Sequence, residues 1–162
     1  MSRADEIQIG AARHRYAPSR PLPARAYIPG VSPREQRPPH APDPPPRRAS
    51  DLASDEAFRF GVDLYNHGFP WEAHEAWEPL WRAAVHGSPD RLLLGGLIQV
   101  AAAAVKARAG QWRGASSLAE SACEQLRAGG GPIASAEFAA AVEAWALKGL
   151  RDPPPSLAIL GG

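Results

Sequence analysis

The chain has 162 residues, with 18 Lys and Arg against 17 Asp and Glu, and a single cysteine. That length builds one domain with a real core, and one thiol excludes an internal disulfide and fits a reducing compartment. Residues 1–50 hold 9 Arg and 4 acids, whereas residues 51–162 hold 9 basic and 13 acidic groups, so the folded part is mildly acidic, which excludes a nucleic-acid binder by charge.

The first residues carry no export signal. Asp5 and Glu6 stand where a signal peptide is basic, and no apolar run follows. Arg47-Arg48 lacks the apolar stretch of a twin-arginine signal. The expectation is a cytoplasmic protein. Residues 1–50 hold 11 of the 18 prolines and show no helical or strand period. Such a segment buries too little apolar area to offset its ordering entropy. It reads as an extended or disordered, polyproline-like arm, largely solvated. One docking point stands out, Tyr27 and Ile28 ahead of Pro29-Gly30. The arm's other use is an electrostatic tether to RNA, DNA or an acidic partner.

From Ser50 or Asp51 the pattern becomes helical. Asp51, Asp55 and Glu56 suit a helix start, and Phe58, Val62 and Tyr65 recur at i, i+4 and i+7. This first helix is expected to end near His67. Asp63, near its end, reads as solvated, with an oxygen ligand as the alternative. His67, in the turn, is the candidate for a second imidazole. Gly68 stops the helix, and Pro70 opens the next at its first position.

On that second helix, Ala73, Trp77, Leu80, Trp81 and Ala84 share one side, the packed face. Glu72, Glu75, Arg82 and His86 fall on the opposite, wet side. His74 and Glu78 lie at the border, one turn apart. An imidazole and a carboxylate at i and i+4 can share a metal ion or a proton. Two plainer readings compete: Glu78 pairs with Arg82 as a surface ion pair, and His74 bonds a backbone carbonyl at the core edge. Pro79 cannot donate to the carbonyl of Glu75 and biases Glu78 away from helical angles. It predicts a kink at Glu78, or a break between two short helices.

Ser88-Pro89-Asp90 is a strong helix start. The helix it opens, about 89–109, is the most apolar of the chain. Its run from Leu92 to Val105 is too short to span a bilayer and fits a buried central helix. Gly96, Gln99, Ala103 and Lys106 form a stripe of small and polar residues that lets another helix approach. Gln99 needs a partner when buried. That partner is His74 or Glu78, which would make Gln99 an orienting residue, or a backbone carbonyl. A fourth helix follows at about 111–128, with Cys123 buried and inert. Gly129-Gly130-Gly131-Pro132 breaks the chain. A fifth helix at about 135–148 carries Phe138, Val142 and Trp145 on one side. Leu157, Ile159 and Leu160 are expected to dock the tail. The whole reads as all-α: one bundle of about five helices over residues 51–150, an N-terminal arm over 1–50 and a C-terminal tail over 151–162.

His74, Glu78 and Trp81 fit the pattern His, three residues, Glu, two residues, Trp or Tyr. Tyr65, Asn66, Gly68 and the Glu72-Ala73-His74-Glu75 run precede it, and Gly96-Leu97-Ile98-Gln99 follows. In these residues the chain resembles a bacterial and archaeal family called domain of unknown function 309 (DUF309), over about residues 55–128. The resemblance implies an all-helical fold, and metal binding by the hallmark is a suggestion attached to the family.

Two functions remain open. In the first, His74 and Glu78 bind a divalent metal (Zn, Mn or Fe) with a third ligand from His67, Asp63 or Glu75, and Trp81 and Gln99 line the pocket; its enzymatic form is a metal-dependent hydrolase. A homodimer would bring two such pairs together. In the second, the chain is an interaction module in which His74, Glu78, Trp81 and Gln99 form a satisfied polar network. Neither involves a membrane.

Overall fold

Gly68, Gly87 and Gly110 each adopt a positive φ, and each turns the chain back after a helix. The helices they separate are α1 (Glu56–Asn66), α2 (Pro70–Ala83), α3 (Pro89–Arg108) and α4 (Trp112–Ala128); α5 (Ser135–Leu147) follows the Gly-rich break. The computed structural model describes residues 14–39 and 51–161. The readings placed on residues 1–13 and 40–50, among them Asp5, Glu6, Arg47, Arg48 and a helix start at Ser50, lie outside the described residues. There is no strand among the described residues, and the all-α bundle of five helices is the observed fold.

The helix starts follow their local chemistry. Asp55 accepts from the Phe58 amide at 3.0 Å, so α1 begins at Glu56, after a short 3-10 turn at Leu52–Ser54. Ser88 caps α3 by accepting from the Arg91 amide, ahead of Pro89. Consecutive helices pack on one another, and α3 sits between α2 and α4. Leu93, Leu97 and Val100 of α3 have no exposed surface, and burying each such side chain stabilises the fold by about 2 kcal/mol. Gly96 performs the close approach expected of it, since a Cβ there would lie 2.7 Å from Cγ of Leu126 on α4. The helix α2 runs through Pro79 without a break, so the alternative of two short helices is excluded.

The N-terminal segment corrects the expectation of a solvated arm. Between residues 14 and 39 it has no regular structure beyond a 3-10 turn at Arg34–Gln36, yet Tyr16, Ala17 and Tyr27 are buried. Two acids of the bundle hold it. Asp63, fully buried, accepts from the amides of Tyr16 at 2.7 Å and Ala17 at 2.8 Å and from Nε of Arg15 at 2.9 Å. Glu72 accepts from the Tyr27 amide at 2.6 Å. Neither acid is solvated, contrary to expectation: three hydrogen bonds offset the desolvation of Asp63. Tyr27 also packs edge-on against Trp71, which is the expected docking point. The arm then turns at Pro29-Gly30, where the amide of Val31 donates back to the Ile28 carbonyl and Gly30 supplies the positive φ that a type II turn requires.

The C-terminal tail packs at the C-terminal end of α1, beside the arm, where the amide of Ile159 donates to the hydroxyl of Tyr16. Asn66 donates to the carbonyl of Leu157 and accepts from its amide, and the hydroxyl of Tyr65 donates to the carbonyl of Pro155. Leu157 and Ile159 are buried as expected, whereas Leu160 is exposed.

Candidate functional site

The helices α2 and α3 are joined by a short turn and therefore run side by side in opposite directions. Trp71, His74, Glu78 and Trp81 recur at i, i+3, i+7 and i+10 along one edge of α2. Gly95, Ile98, Gln99, Ala102, Val105, Lys106 and Ala109 do the same along α3. Between these stripes lies a groove made of two cavities. One, about 240 Å³, is lined by His74, Glu78, Trp81, Gly95, Ile98, Gln99 and Gln125. The other, about 400 Å³, is lined by Trp71, His74, Ala102, Val105, Lys106, Ala109 and Gln111, with Pro29 and Gly30 of the arm. His74 borders both.

At the middle of the groove Nδ1 of His74 lies 3.5 Å from Oε1 of Glu75 and 3.8 Å from Oε2 of Glu78. Each of the three residues offers one ligand atom, and those atoms lie within 4.8 Å of one another. The other oxygen of Glu78 accepts from Arg82 at 2.8 Å. The plain reading of Glu78 as half of an i, i+4 ion pair is therefore true, and it leaves Oε2 facing the imidazole. The side chains are partly buried, with His74 at 29% exposure and Glu78 at 32%, so the trio is reachable from solvent.

Two buried atoms at this site have no hydrogen-bond partner, Nδ1 of His74 and Oε1 of Gln99. Gln99 reaches the expected cavity but does not make the expected bond to His74 or Glu78. The plain reading of His74 as bonded to a backbone carbonyl through Nδ1 fails for the same reason. Trp81 lines the cavity, and the guanidinium of Arg91 stacks over its ring at 4.2 Å while donating to the carbonyls of Trp81 and Ala84. That cation caps the C-terminal end of α2, where the helix dipole favours positive charge, and fixes the indole.

His67 and Asp63 do not join the trio. His67 caps α1, its Nδ1 donating to the carbonyl of Asp63 at 2.7 Å, and the Asp63 carboxylate is committed to the arm. Of the three residues available as a third ligand, Glu75 is the one beside His74. Its assignment to the wet face placed it too far round the helix. Gln125 went unnoticed in the sequence because it sits on the polar side of α4. The signal for it was Gly95, where any Cβ would strike its amide oxygen.

A family model described as "Domain of unknown function (DUF309)" matches residues 58–118. Over those residues the chain is similar to the DUF309 family. The matched segment contains most of α1, all of α2 and α3 with every groove residue on them, and the start of α4. Gln125 and the arm residues Pro29 and Gly30 lie outside the DUF309 match. No curated protein and no solved structure matches the chain. No helix among the described residues is long and apolar enough to cross a membrane.

Proposed function

We propose that the helical bundle binds a divalent cation through His74, Glu75 and Glu78. The observation that carries this reading is the convergence of one imidazole nitrogen and two carboxylates within 4.8 Å around a nitrogen that nothing else bonds. A nitrogen with two carboxylate oxygens suits Zn, Mn or Fe(II). Arg82 would hold the Glu78 carboxylate in place through Oε1, the role that outer partners play for metal-binding acids. Three ligands from one helix leave coordination positions open toward the groove, and the reading needs no second copy of the chain.

A cation bound there would supply Lewis acidity toward a carbonyl or phosphoryl oxygen, so metal-dependent hydrolysis is the reaction class we propose. The chain's own contribution would be the groove. Trp81 and Ile98 exclude water on one side, and the amide of Gln99 offers an unbonded acceptor to a substrate N–H or O–H. The competing reading, a structural polar network that fixes helix register, requires satisfied partners. The unbonded Nδ1 and Oε1 count against it. A tether to nucleic acid is also disfavoured, because Arg15 is spent on Asp63, while Arg20 stacks on Phe60 and Arg37 lies over the Trp71 ring. A cytoplasmic setting fits the one thiol, Cys123, which is buried and donates to the Ala139 carbonyl.

The test is elemental analysis of protein purified without chelator, with the His74→Ala and Glu75→Gln/Glu78→Gln variants beside it. The expected result is a transition metal in the wild type that both variants lose. A wild type free of metal, with no uptake of added Zn, Mn or Fe(II), overturns the reading.

A further inference from the structure

The larger cavity is built differently from the smaller one. Trp71, Ala102, Val105, Ala109 and Pro29 make its walls apolar, and its volume of about 400 Å³ falls in the range of small-molecule pockets. Its roof is the Pro29-Gly30 turn, which buried Tyr27 and Glu72 hold in place. One full charge lies within it. Nζ of Lys106 donates to the amide oxygen of Gln111 at 3.0 Å. Gln111 is neutral, and among the described residues no carboxylate forms an ion pair with Lys106. Two of its three N–H donors thus remain for a ligand.

We propose that this cavity binds a small organic anion with a flat apolar body, its acid group on Lys106 and its far end directed toward His74. Charge complementarity sets the sign of the ligand. An anion finds the uncompensated ammonium at one end, whereas a cation would meet it with nothing negative in the cavity wall. Flatness follows from the walls. Trp71 contributes an aromatic ring to the lining and is held edge-on by Tyr27 at a centroid separation of 4.8 Å, and the small residues Ala102 and Ala109 line the same cavity. The direction follows from His74, which borders both cavities, and in this respect the proposal rests on the metal-binding reading and names the class of substrate for that site.

The experiment is calorimetric titration of the full chain with 2-naphthoate and, separately, with neutral 2-naphthalenemethanol. Each is run with and without EDTA, on the wild type and on Lys106→Met, Ala102→Trp and Ala109→Trp. We expect one naphthoate per chain and binding of the alcohol about tenfold weaker, the loss that follows from one charge-assisted hydrogen bond. Lys106→Met should lower naphthoate to the level of the alcohol, and the two tryptophan variants should abolish both. Lys106 is a groove-edge side chain, so its variant keeps the test decisive even where a tryptophan variant misfolds. Equal binding of acid and alcohol, no effect of Lys106→Met, or no binding overturns the proposal. Naphthoate binding that is lost in EDTA but survives Lys106→Met puts the acid group on the metal instead, which overturns this proposal and supports the metal centre. Binding that persists in EDTA on a chain shown to hold no metal upholds the pocket while the metal reading falls.

Discussion

Nδ1 of His74 lies 3.8 Å from Oε2 of Glu78, one helical turn away and outside hydrogen-bonding distance. A pair of this kind that existed to stabilise α2 would close the gap, because an unmade bond costs more than a made one returns. The gap has the dimensions of a shared ligand. A cation that fills it binds the native chain and not the unfolded one, so it must raise stability. At a metal concentration 100 times Kd the gain is about 2.7 kcal/mol. Thermal unfolding with added Zn, Mn and Fe(II), and then with EDTA, should show a melting temperature that rises and falls accordingly. In His74→Ala the same additions should leave it unchanged.

Asp63 makes a second prediction. Its carboxylate is fully buried and accepts three hydrogen bonds from residues 15–17. Asp63→Ala leaves Nε of Arg15 and two buried amides without partners. The expected loss of stability is about 3 kcal/mol, and the arm should detach before the bundle melts. Limited trypsin digestion should then cut after Arg25, which Ala26 follows, in the variant while the wild type resists there, at temperatures where the helical circular dichroism of both is intact.

Glu72 gives the pH dependence. Burial pushes its carboxyl above the ordinary carboxylate value of 4.5, against the opposing pull of the Tyr27 amide and of Arg108. The folded state therefore holds this proton more tightly than the unfolded state. Its contribution to stability is fully present below pH 4.5 and is lost as pH rises through the folded value. Glu72→Gln removes the titration and keeps an oxygen for the Tyr27 amide. Chemical denaturation across a pH series should show the wild type losing ground to Glu72→Gln as pH rises above 4.5. A constant difference between the two would reject this account.

Gly61 supplies a fourth. A Cβ at this position would lie 2.6 Å from Cδ1 of Trp77 and strike Nε1, and that ring is fully buried, with Nε1 donating to the carbonyl of Phe58. Gly61→Ala thus costs overpacking of about 1–3 kcal/mol, despite the higher helix propensity of Ala. A fall in urea midpoint with unchanged slope would register it.

The helices were legible from sequence because their signals are local. Ser88-Pro89, Gly68-Phe69-Pro70 and the 129–132 break are stop and start chemistry within a few residues, and the spacing of Phe58, Val62 and Tyr65 needs no partner to be read. The hallmark residues were legible for the same reason, since 74, 78 and 81 share one helix edge. The roles of Asp63 and Glu72 were not. Their partners lie some 45 residues earlier, in a segment with no period at all, and the pairing is to backbone amides that any residue carries. Periodicity put Glu72 on the wet side of α2 correctly as geometry; what it lacked was the chain that comes to lie there. Gln125 was hidden likewise, behind a polar face and a glycine on another helix.

Because Asp63 and Glu72 are capped by main-chain amides of residues 16, 17 and 27, a bundle trimmed to its helices would be a different molecule. It would present bare carboxylates on an oily surface, lack the roof over Trp71, and invite self-association at that scar. Fragments cut at residue 50 for crystallisation or screening would then report on the wound rather than on the pocket.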